Sequence, residues 1–508
     1  MEKVILAVNG TLMRGLELAG NLRKVHASFV KKSQTEKAYR LYSINDQYPA
    51  MIKSDDGESI AVELYKITEE GMKEVLSKEP EGLTIEKIKL IDGQEVYGVI
   101  GLPSIVEGQK DITSYKGWRK YINEKNRLKR YTPLIVRGIV IFSLLLTLIV
   151  LNILKSNQDF AEWMSRTVAR AYGSFASGIS SILPFVSFTE LLFIGLIGLT
   201  VFLIVRFIIN LVRRKTIKAF CKIVELAIMV FTVVDVYHIS CEAAYNRKPI
   251  PLPYYTEKIN GDQYIEVYNY FVADLNDCAS QLEFQESGDV KTDLSLWEIA
   301  DEVKKAYSII DGNSYYNEHF GPVKPMMSSF LYREFQITGV TFSPFAEANI
   351  DVLIPVGDLP FTIAHELAHT KGVMREDEAN QLAFYVCLSS KNPYLRFSAY
   401  NRYFPNLRNL ANKTYLKQAQ IEQLDPLCQE FWKLDTFERN FWKEHNLLKK
   451  IGDFFNNLYI KNSGINDGTS SYHGGTEDPD PDPETQLISP NKYQGLFIEK
   501  YLRDKTFN

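Results

Sequence analysis

Cysteine is nearly absent: five residues in 508, Cys221, Cys241, Cys278, Cys387 and Cys428, with no Cys-x-x-Cys pair. That spacing and density exclude a thiol zinc ribbon or a disulfide scaffold, and all five, Cys387 included, read as packing residues. Neither sign of charge dominates. A net charge of -4 and a pI of ≈ 6.1 leave no global footprint for nucleic acid. The first ten residues carry too short an apolar run for a secretory signal, so export of the first segment is not expected. The chain is also too long for a single core and suggests about three units. Histidine is scarce too, at 7 residues.

Two of those histidines lie four apart in Leu359-Pro360-Phe361-Thr362-Ile363-Ala364-His365-Glu366-Leu367-Ala368-His369-Thr370-Lys371-Gly372. On a helix His365 and His369 share one face, offering two imidazole nitrogens to one zinc ion while Glu366 leans over the open position. From composition alone about 0.006 such pentapeptides are expected. The helix is apolar nearly all round, as expected of a buried one, so its histidines and glutamate need polar partners.

A turn at Gly372 is followed by Glu376-Asp377-Glu378-Ala379-Asn380 and the apolar Leu382, Ala383, Phe384, Val386 and Leu388, a second buried helix. Glu376 and Asn380 share a face, so Glu376 is the expected third zinc ligand and Asn380 its support. Glu378 is near enough in sequence to compete, and acids that merely complement a helix N-terminus are the plainer alternative.

Glu-x-x-Ala-Asn after His-Glu-x-x-His resembles the second-helix signature of gluzincin peptidases. The run Ser343-Pro344-Phe345-Ala346-Glu347-Ala348-Asn349 to Pro360-Phe361-Thr362 resembles one family of bacterial membrane proteins, labelled a domain of unknown function. In that family several spans precede a predicted zinc peptidase domain, and the resemblance covers roughly residues 130 to 508. It implies an edge strand that pairs with an extended peptide, and a Tyr, His or Arg that faces the oxyanion. Tyr400 and Tyr472 are the residues considered for that donor, with aromatic packing the alternative. Gly339 to Ser343 and Ile350 to Pro355 read as the strands. Glu347 and Asn349 are either substrate contacts or turn residues.

Residues 1–115 read as a compact α+β domain, a small mostly-β barrel, with strands at Val4–Val8, Tyr39–Ile44, Ile60–Ile67 and Val96–Ile100. Val8-Asn9-Gly10-Thr11-Leu12, Tyr39-Arg40-Leu41-Tyr42, the Ala61–Ile67 strand, Pro80-Glu81-Gly82-Leu83 and Asp92-Gly93 resemble the gamma-glutamylcyclotransferase-like domain of the allophanate hydrolase C-terminal type. The resemblance implies a ligand loop at Asn9, Gly10, Thr11 and Leu12 and an acid near Glu79 or Glu81. A sensing or purely structural role is the alternative, and Glu63 reads equally as solvent-facing.

Residues 116–132 read as a basic helical linker. Three transmembrane helices follow within 133–240, at about 134–154, 191–212 and 219–240. The basic flanks place the N-terminal domain in the cytoplasm and the remainder after the third span outside the cell membrane. Residues 155–188 could lie at the outer interface. Lys222, Glu225, Asp235 and His238 interrupt the third span and should face other helices or water. The whole is expected to be a multidomain, multi-pass membrane protein with a C-terminal mainly-α, gluzincin-like α+β peptidase domain at 241–508, in which 474–484 is an acidic insertion. Its expected activity is Zn²⁺-dependent hydrolysis of a peptide or protein substrate, with a small molecule as a further ligand of the N-terminal domain and no nucleic acid. The rival readings are a scaffold protein with a structural zinc, and an N-terminal domain that itself processes a small amide.

Overall fold

Short runs rich in Val, Ile and Tyr are what build the N-terminal unit, residues 1–136, one of two compact units in this computed structural model; the other is 137–508. The structure describes residues 3–309, 321–412, 416–462 and 487–507. The first unit contains β1 (Lys3–Val8), α1 (Ala19–Lys24), β2 (Ser28–Gln34), β3 (Tyr39–Ile44), β4 (Tyr48–Lys53), β5 (Ala61–Thr68), α2 (Glu69–Leu76), β6 (Leu83–Lys89), β7 (Glu95–Gly101) and β8 (Lys110–Asp111). Five strands run in the order β2-β5-β1-β7-β6, with only β1 and β7 parallel. The ends of β2 and β6 then meet: Glu36 N–H donates to Lys89 O at 2.9 Å and Ile91 N–H to Gln34 O at 3.0 Å. That contact joins the sheet's two edges and leaves fewer unpaired strand groups, the usual liability of an open sheet. Leu6, Val8, Val62, Leu64 and Ile67 fill the interior.

The expected helical linker at 116–132 is helical but belongs to the N-terminal unit. Helix α3 (Trp118–Leu154) begins directly after Gly117, and its first turn buries Trp118 and Tyr121 in the core of the N-terminal unit. The helix continues past Pro133.

In the second unit α4 (Gln158–Met164) and α5 (Arg170–Ser180) flank a π-helical turn at Ser165–Ala169. They precede α6 (Phe188–Val212) and α7 (Thr216–Ser240). Among the described residues two helices, α3 and α6, are long and apolar enough to cross a membrane, and their apolar windows are 0% and 6% buried. Helix α7 matches the third expected segment in length but is not one of those two, and it carries Lys222, Glu225, Asp235 and His238. Those charges turn inward. Glu225 pairs with Arg137 on α3 at 2.5 Å and with Lys222 at 2.6 Å, His238 meets Asn152 of α3 at 3.2 Å, and Asp235 is buried. Lys155, just after α3, pairs with Glu242 at 2.7 Å, just after α7, so these two helices end side by side.

The rest is mostly helical. Its elements are α8 (Gly261–Ser280), the hairpin β9 (Glu283–Phe284) and β10 (Val290–Lys291), α9 (Leu296–Ile309), β11 (Val323–Pro325), α10 (Ser329–Glu334), β12 (Gly339–Phe342), β13 (Glu347–Ile350), α11 (Leu359–Thr370), α12 (Glu376–Ser389), α13 (Pro393–Asn412), α14 (Gln418–Ile421), α15 (Gln429–Glu444), α16 (Lys449–Asn462) and α17 (Lys492–Phe507). An Asn260–Gln263 capping box starts α8. Aromatic contacts such as Phe271–Phe497 at 4.9 Å and Phe384–Phe497 at 4.7 Å bind α8, α12 and α17 into one core.

A three-stranded sheet of order β11-β13-β12 leaves β12 at its edge. The second strand lies earlier than the apolar run Ile350–Pro355 suggests. Ala346, at φ +47°, tightens the β12–β13 turn so that pairing uses Glu347–Ile350, and Asp351 Oδ1 then accepts Leu353 N–H at 2.8 Å to turn the chain away.

Candidate metal centre

The sequence around His365 forms α11 because Pro360 occupies its first turn, where the lost N–H costs nothing, and Leu367 and Ala368 close its buried side. Gly372, at φ +82°, reverses the chain into α12, which puts Glu376 opposite the two histidines. His365 Nε2 and His369 Nε2 lie 3.0 Å apart, and Glu376 Oε2 is 3.2 Å from the first and 3.5 Å from the second. Ligand atoms about 2.1 Å from a tetrahedral zinc ion are about 3.4 Å from one another, so these three atoms have the spacing of such a ligand set.

The hydrogen bond on the far side of His369 agrees with that fit. His369 Nδ1 contacts the Val373 carbonyl at 2.7 Å, and an N–H there leaves a lone pair on Nε2, facing His365. His365 Nδ1 is buried and has no hydrogen-bond partner among the described residues. Burial opposes a charged imidazole at His369, yet Glu376 outweighs it and lifts the pKa to about 9. Burial likewise opposes charge on Glu376, but His369 and His365 hold it well below the usual carboxylate range. Without a metal the His369 imidazolium neutralises this buried anion, and a divalent cation bound to the same three atoms would take over that charge.

Glu366 does not join the triad. It is buried beneath the edge strand, and its carboxylate accepts Thr341 Oγ–H at 2.7 Å. Thr341 Oγ also lies 2.9 Å from the Glu366 carbonyl. Burial raises its pKa, partly offset by the two histidines. Gly339 of β12 permits this approach, since a Cβ there would stand 2.6 Å from Glu366 Cγ. Glu366 is thus held between α11 and the edge strand β12. Tyr307 Oη donates to the Ala364 carbonyl at 2.6 Å and buttresses α11 from behind. Sequence reasoning missed Thr341, Tyr307 and the Val373 carbonyl; only Gly339, a glycine inside a strand, carried a signal.

Glu378 points elsewhere, to Arg247 at 3.1 Å and Arg375 at 3.0 Å. Asn380 is buried and hydrogen-bonds with Tyr493, whose ring stacks on Tyr403 at 4.4 Å. Tyr400 is not placed as an oxyanion donor: it is fully buried and gives its hydroxyl to Asp274 of α8, which Arg396 also grips. Tyr472 and the acidic insertion lie outside the described residues. Cys387 is buried against the Pro360 carbonyl, apart from the triad. Glu347 and Asn349 are buried structural residues of β13. Glu347 pairs with the equally buried Lys324 at 2.7 Å and accepts Thr189 N–H at 2.6 Å, while Asn349 donates to Thr189 Oγ at 3.3 Å.

In the N-terminal unit Asn9, Gly10, Thr11 and Leu12 are all buried, so their side chains pack rather than open to solvent. Glu63, which read equally as solvent-facing, is inside: it accepts Arg14 N–H at 2.8 Å and pairs with Arg119 at 3.3 Å. Burial pushes the Glu79 carboxyl up to about 7, whereas Glu81 is exposed.

Residues 164–476, more than half of the chain, match the family described as protein of unknown function DUF3810. The chain belongs to the DUF3810 family. Residues 4–123 match the allophanate hydrolase C-terminal domain, which gives this DUF3810 protein an N-terminal domain of gamma-glutamylcyclotransferase-like fold. Urea amidolyase of Lachancea kluyveri is 32% identical over 167 residues, 30% of this chain but 9% of that protein; its Saccharomyces cerevisiae counterpart is 32% identical over 124 residues, 23% of this chain and 7% of that protein. The DUF3810 chain therefore spans a small part of the curated relatives it matches. Among solved structures, c4763, a uropathogenic E. coli-specific protein, is 46% identical over 24% of this chain and 98% of its own, with a TM-score of 0.24. The urea amidolyase of K. lactis is 27% identical over 24% of this chain and 8% of its own, also at 0.24.

Proposed function

We propose that this DUF3810 protein is a membrane-anchored, zinc-dependent peptidase whose centre is His365, His369 and Glu376, with Glu366 as general base. One observation carries the reading: three converging ligand atoms 3.0–3.5 Å apart lie beside a separate buried carboxylate under an edge strand. When bound, zinc would supply Lewis-acid chemistry, lowering the pKa of a water and polarising a peptide carbonyl. Glu366 takes a proton from the attacking water and passes it to the leaving amine. Thr341 holds the Glu366 carboxylate in place for both transfers. The free edge of β12 supplies backbone hydrogen bonds that align an extended peptide across the site.

A structural zinc site would be closed by a fourth protein ligand, and among the described residues the cluster has three members. For the membrane part, apolar windows with at most 6% of their residues buried favour lipid over a soluble core around α3 and α6. Helix α7, with Glu225 and His238 paired to α3, would cross as a third span and leave the peptidase domain outside. The N-terminal domain would bind a small molecule of amide or carboxylate chemistry, a role its family match supports. The test is metal analysis and peptide-library cleavage on the full chain in detergent. About one zinc per chain is expected, and Glu366→Gln should keep the metal and lose cleavage. Loss of zinc in that variant, or cleavage retained, refutes the assignment.

A further inference from the structure

Helix α6 does not leave the C-terminal domain from a polar surface. In its first turn the Glu190 carboxylate accepts Met327 N–H at 2.6 Å and Ser328 N–H at 3.0 Å, which fixes α10 beside the start of the helix. The far end of α10 is fixed in turn: Glu334 O accepts Leu448 N–H at 3.0 Å, and its carboxylate takes His445 Nδ1 at 2.8 Å and Leu447 N–H at 3.3 Å. A continuous shelf therefore runs from α6 along α10 to the start of α16. Its outward side chains are large and apolar: Met327 is 48% exposed, Phe330 63%, Leu331 41% and Leu447 80%, with Phe185 at 66% just before α6.

Single exposed apolar residues mean little, but a contiguous group attached to an apolar helix is the pattern of a buried surface. Two features identify what buries it. The shelf is continuous with the exposed apolar face of α6, where Ile194 and Ile197 are 62% and 66% exposed. The edge strand also reaches the same level, because Phe342 of β12 packs on Phe193 in the second turn of α6 at 5.3 Å.

We propose that α10 and its neighbours form a bilayer-docking surface, with Met327, Phe330, Leu331 and Leu447 immersed at the headgroup–acyl boundary of the leaflet where α6 enters. The inference rests on α6 being a membrane span and is independent of the zinc chemistry. Short amphipathic segments bind in this way, and apolar area removed from water is the driving force.

The test uses the full chain in phosphatidylcholine–phosphatidylglycerol vesicles, on a Cys428→Ser background because Cys428 is the one half-buried cysteine among five. An environment-sensitive fluorophore is attached at Phe330→Cys, Leu447→Cys, Phe202→Cys within α6, or Gln429→Cys on α15. Phe330→Cys and Leu447→Cys are expected to emit to the blue of Gln429→Cys and to be quenched at least about twofold more by shallow doxyl lipid. If Phe202→Cys is quenched and both shelf positions behave like Gln429→Cys, the docking surface is refuted while the span stands. If Phe202→Cys is itself unquenched, the membrane reading of α6 fails and the docking surface with it.

Discussion

Exchanging either of two glutamates on α12 for glutamine should break two different things. Glu376 and Glu378 are both buried, at 8% and 6% exposure, yet residues two apart on a helix point about 200° away from each other. Glu376 Oε2 faces His365 and His369; Glu378 faces Arg247 and Arg375 and accepts Ile250 N–H at 3.4 Å. In Glu376→Gln a neutral amide replaces the anionic ligand, so zinc affinity should fall at least about tenfold, or about 1.4 kcal/mol. In Glu378→Gln the three candidate ligand atoms are untouched, but the Arg247 guanidinium, 3% exposed, loses its carboxylate. Breaking a buried pair costs about 3–5 kcal/mol, and the amide retains one acceptor, so about 2–3 kcal/mol is expected.

The assay for the first effect is a chelator-competition zinc titration; for the second it is urea unfolding of the metal-free chain, so that zinc does not mask the change. Glu376→Gln should move the titration, and Glu378→Gln the midpoint without the titration. The reverse order of zinc affinities would make Glu378 the ligand. A Glu378→Gln chain as stable as the wild type would mean the Arg247 pair is not what holds α12.

Gly339→Ala should leave zinc content unchanged and lower peptide turnover by on the order of tenfold or more, because its Cβ would displace the Glu366 side chain or lift β12; unchanged turnover would refute the close approach. Glu79→Gln should leave the N-terminal unit as stable as the wild type at pH 4 and make it more stable at pH 8, read by hydrogen exchange of β6 and β7. A folded pKa raised from 4.5 to about 7 is a stability contribution lost as pH rises through that window; it is at most about 3 kcal/mol, and on the order of 1–2 after solvent screening. A reporter active only outside the membrane should be on when fused after residue 250 and off when fused at residue 120; the opposite pattern reverses the topology.

What was legible in the sequence is what lies within one or two helical turns. His365, His369 and Glu376 are written locally, as an i, i+4 pair followed by a glycine turn and an acidic helix start, and the structure brings their ligand atoms together. Groups that reach the site from other elements left no such trace. Thr341 serves Glu366 from 25 residues away, and Tyr307 braces α11 from 57 residues away. Tyr400 shows the converse: its position along the chain suggested the site, but its partner Asp274, 126 residues earlier, holds it in the core. Glu63 likewise read as solvent-facing as easily as functional, and its burial depends on Arg14 and Arg119, 49 and 56 residues away in sequence. The apolar run Ile350–Pro355 has strand composition, but pairing register was set upstream by the turn at Ala346.

Glu347 of β13, open in the sequence between a substrate contact and a turn residue, has another use together with Lys324 of β11. Lys324 and Glu347 are both 0% exposed, and moving each charge from water costs several kcal/mol that their 2.7 Å pairing does little more than offset. Two apolar side chains could pack the same space, so what the pair adds is position. Its hydrogen bonds say to what: Lys324 Nζ donates to Val186 O at 2.8 Å, and Glu347 Oε1 accepts Ser187 Oγ–H at 3.2 Å and Thr189 N–H at 2.6 Å, all at the start of α6. A carboxylate there also meets the positive end of the helix dipole. Strand β13 is thus pinned to α6 on one side and pairs with β12 on the other, and β12 carries the threonine that holds Glu366. Any tilt of α6 against the sheet would therefore reach Glu366 through two strands and one hydroxyl, a path with no loop in it to absorb the motion.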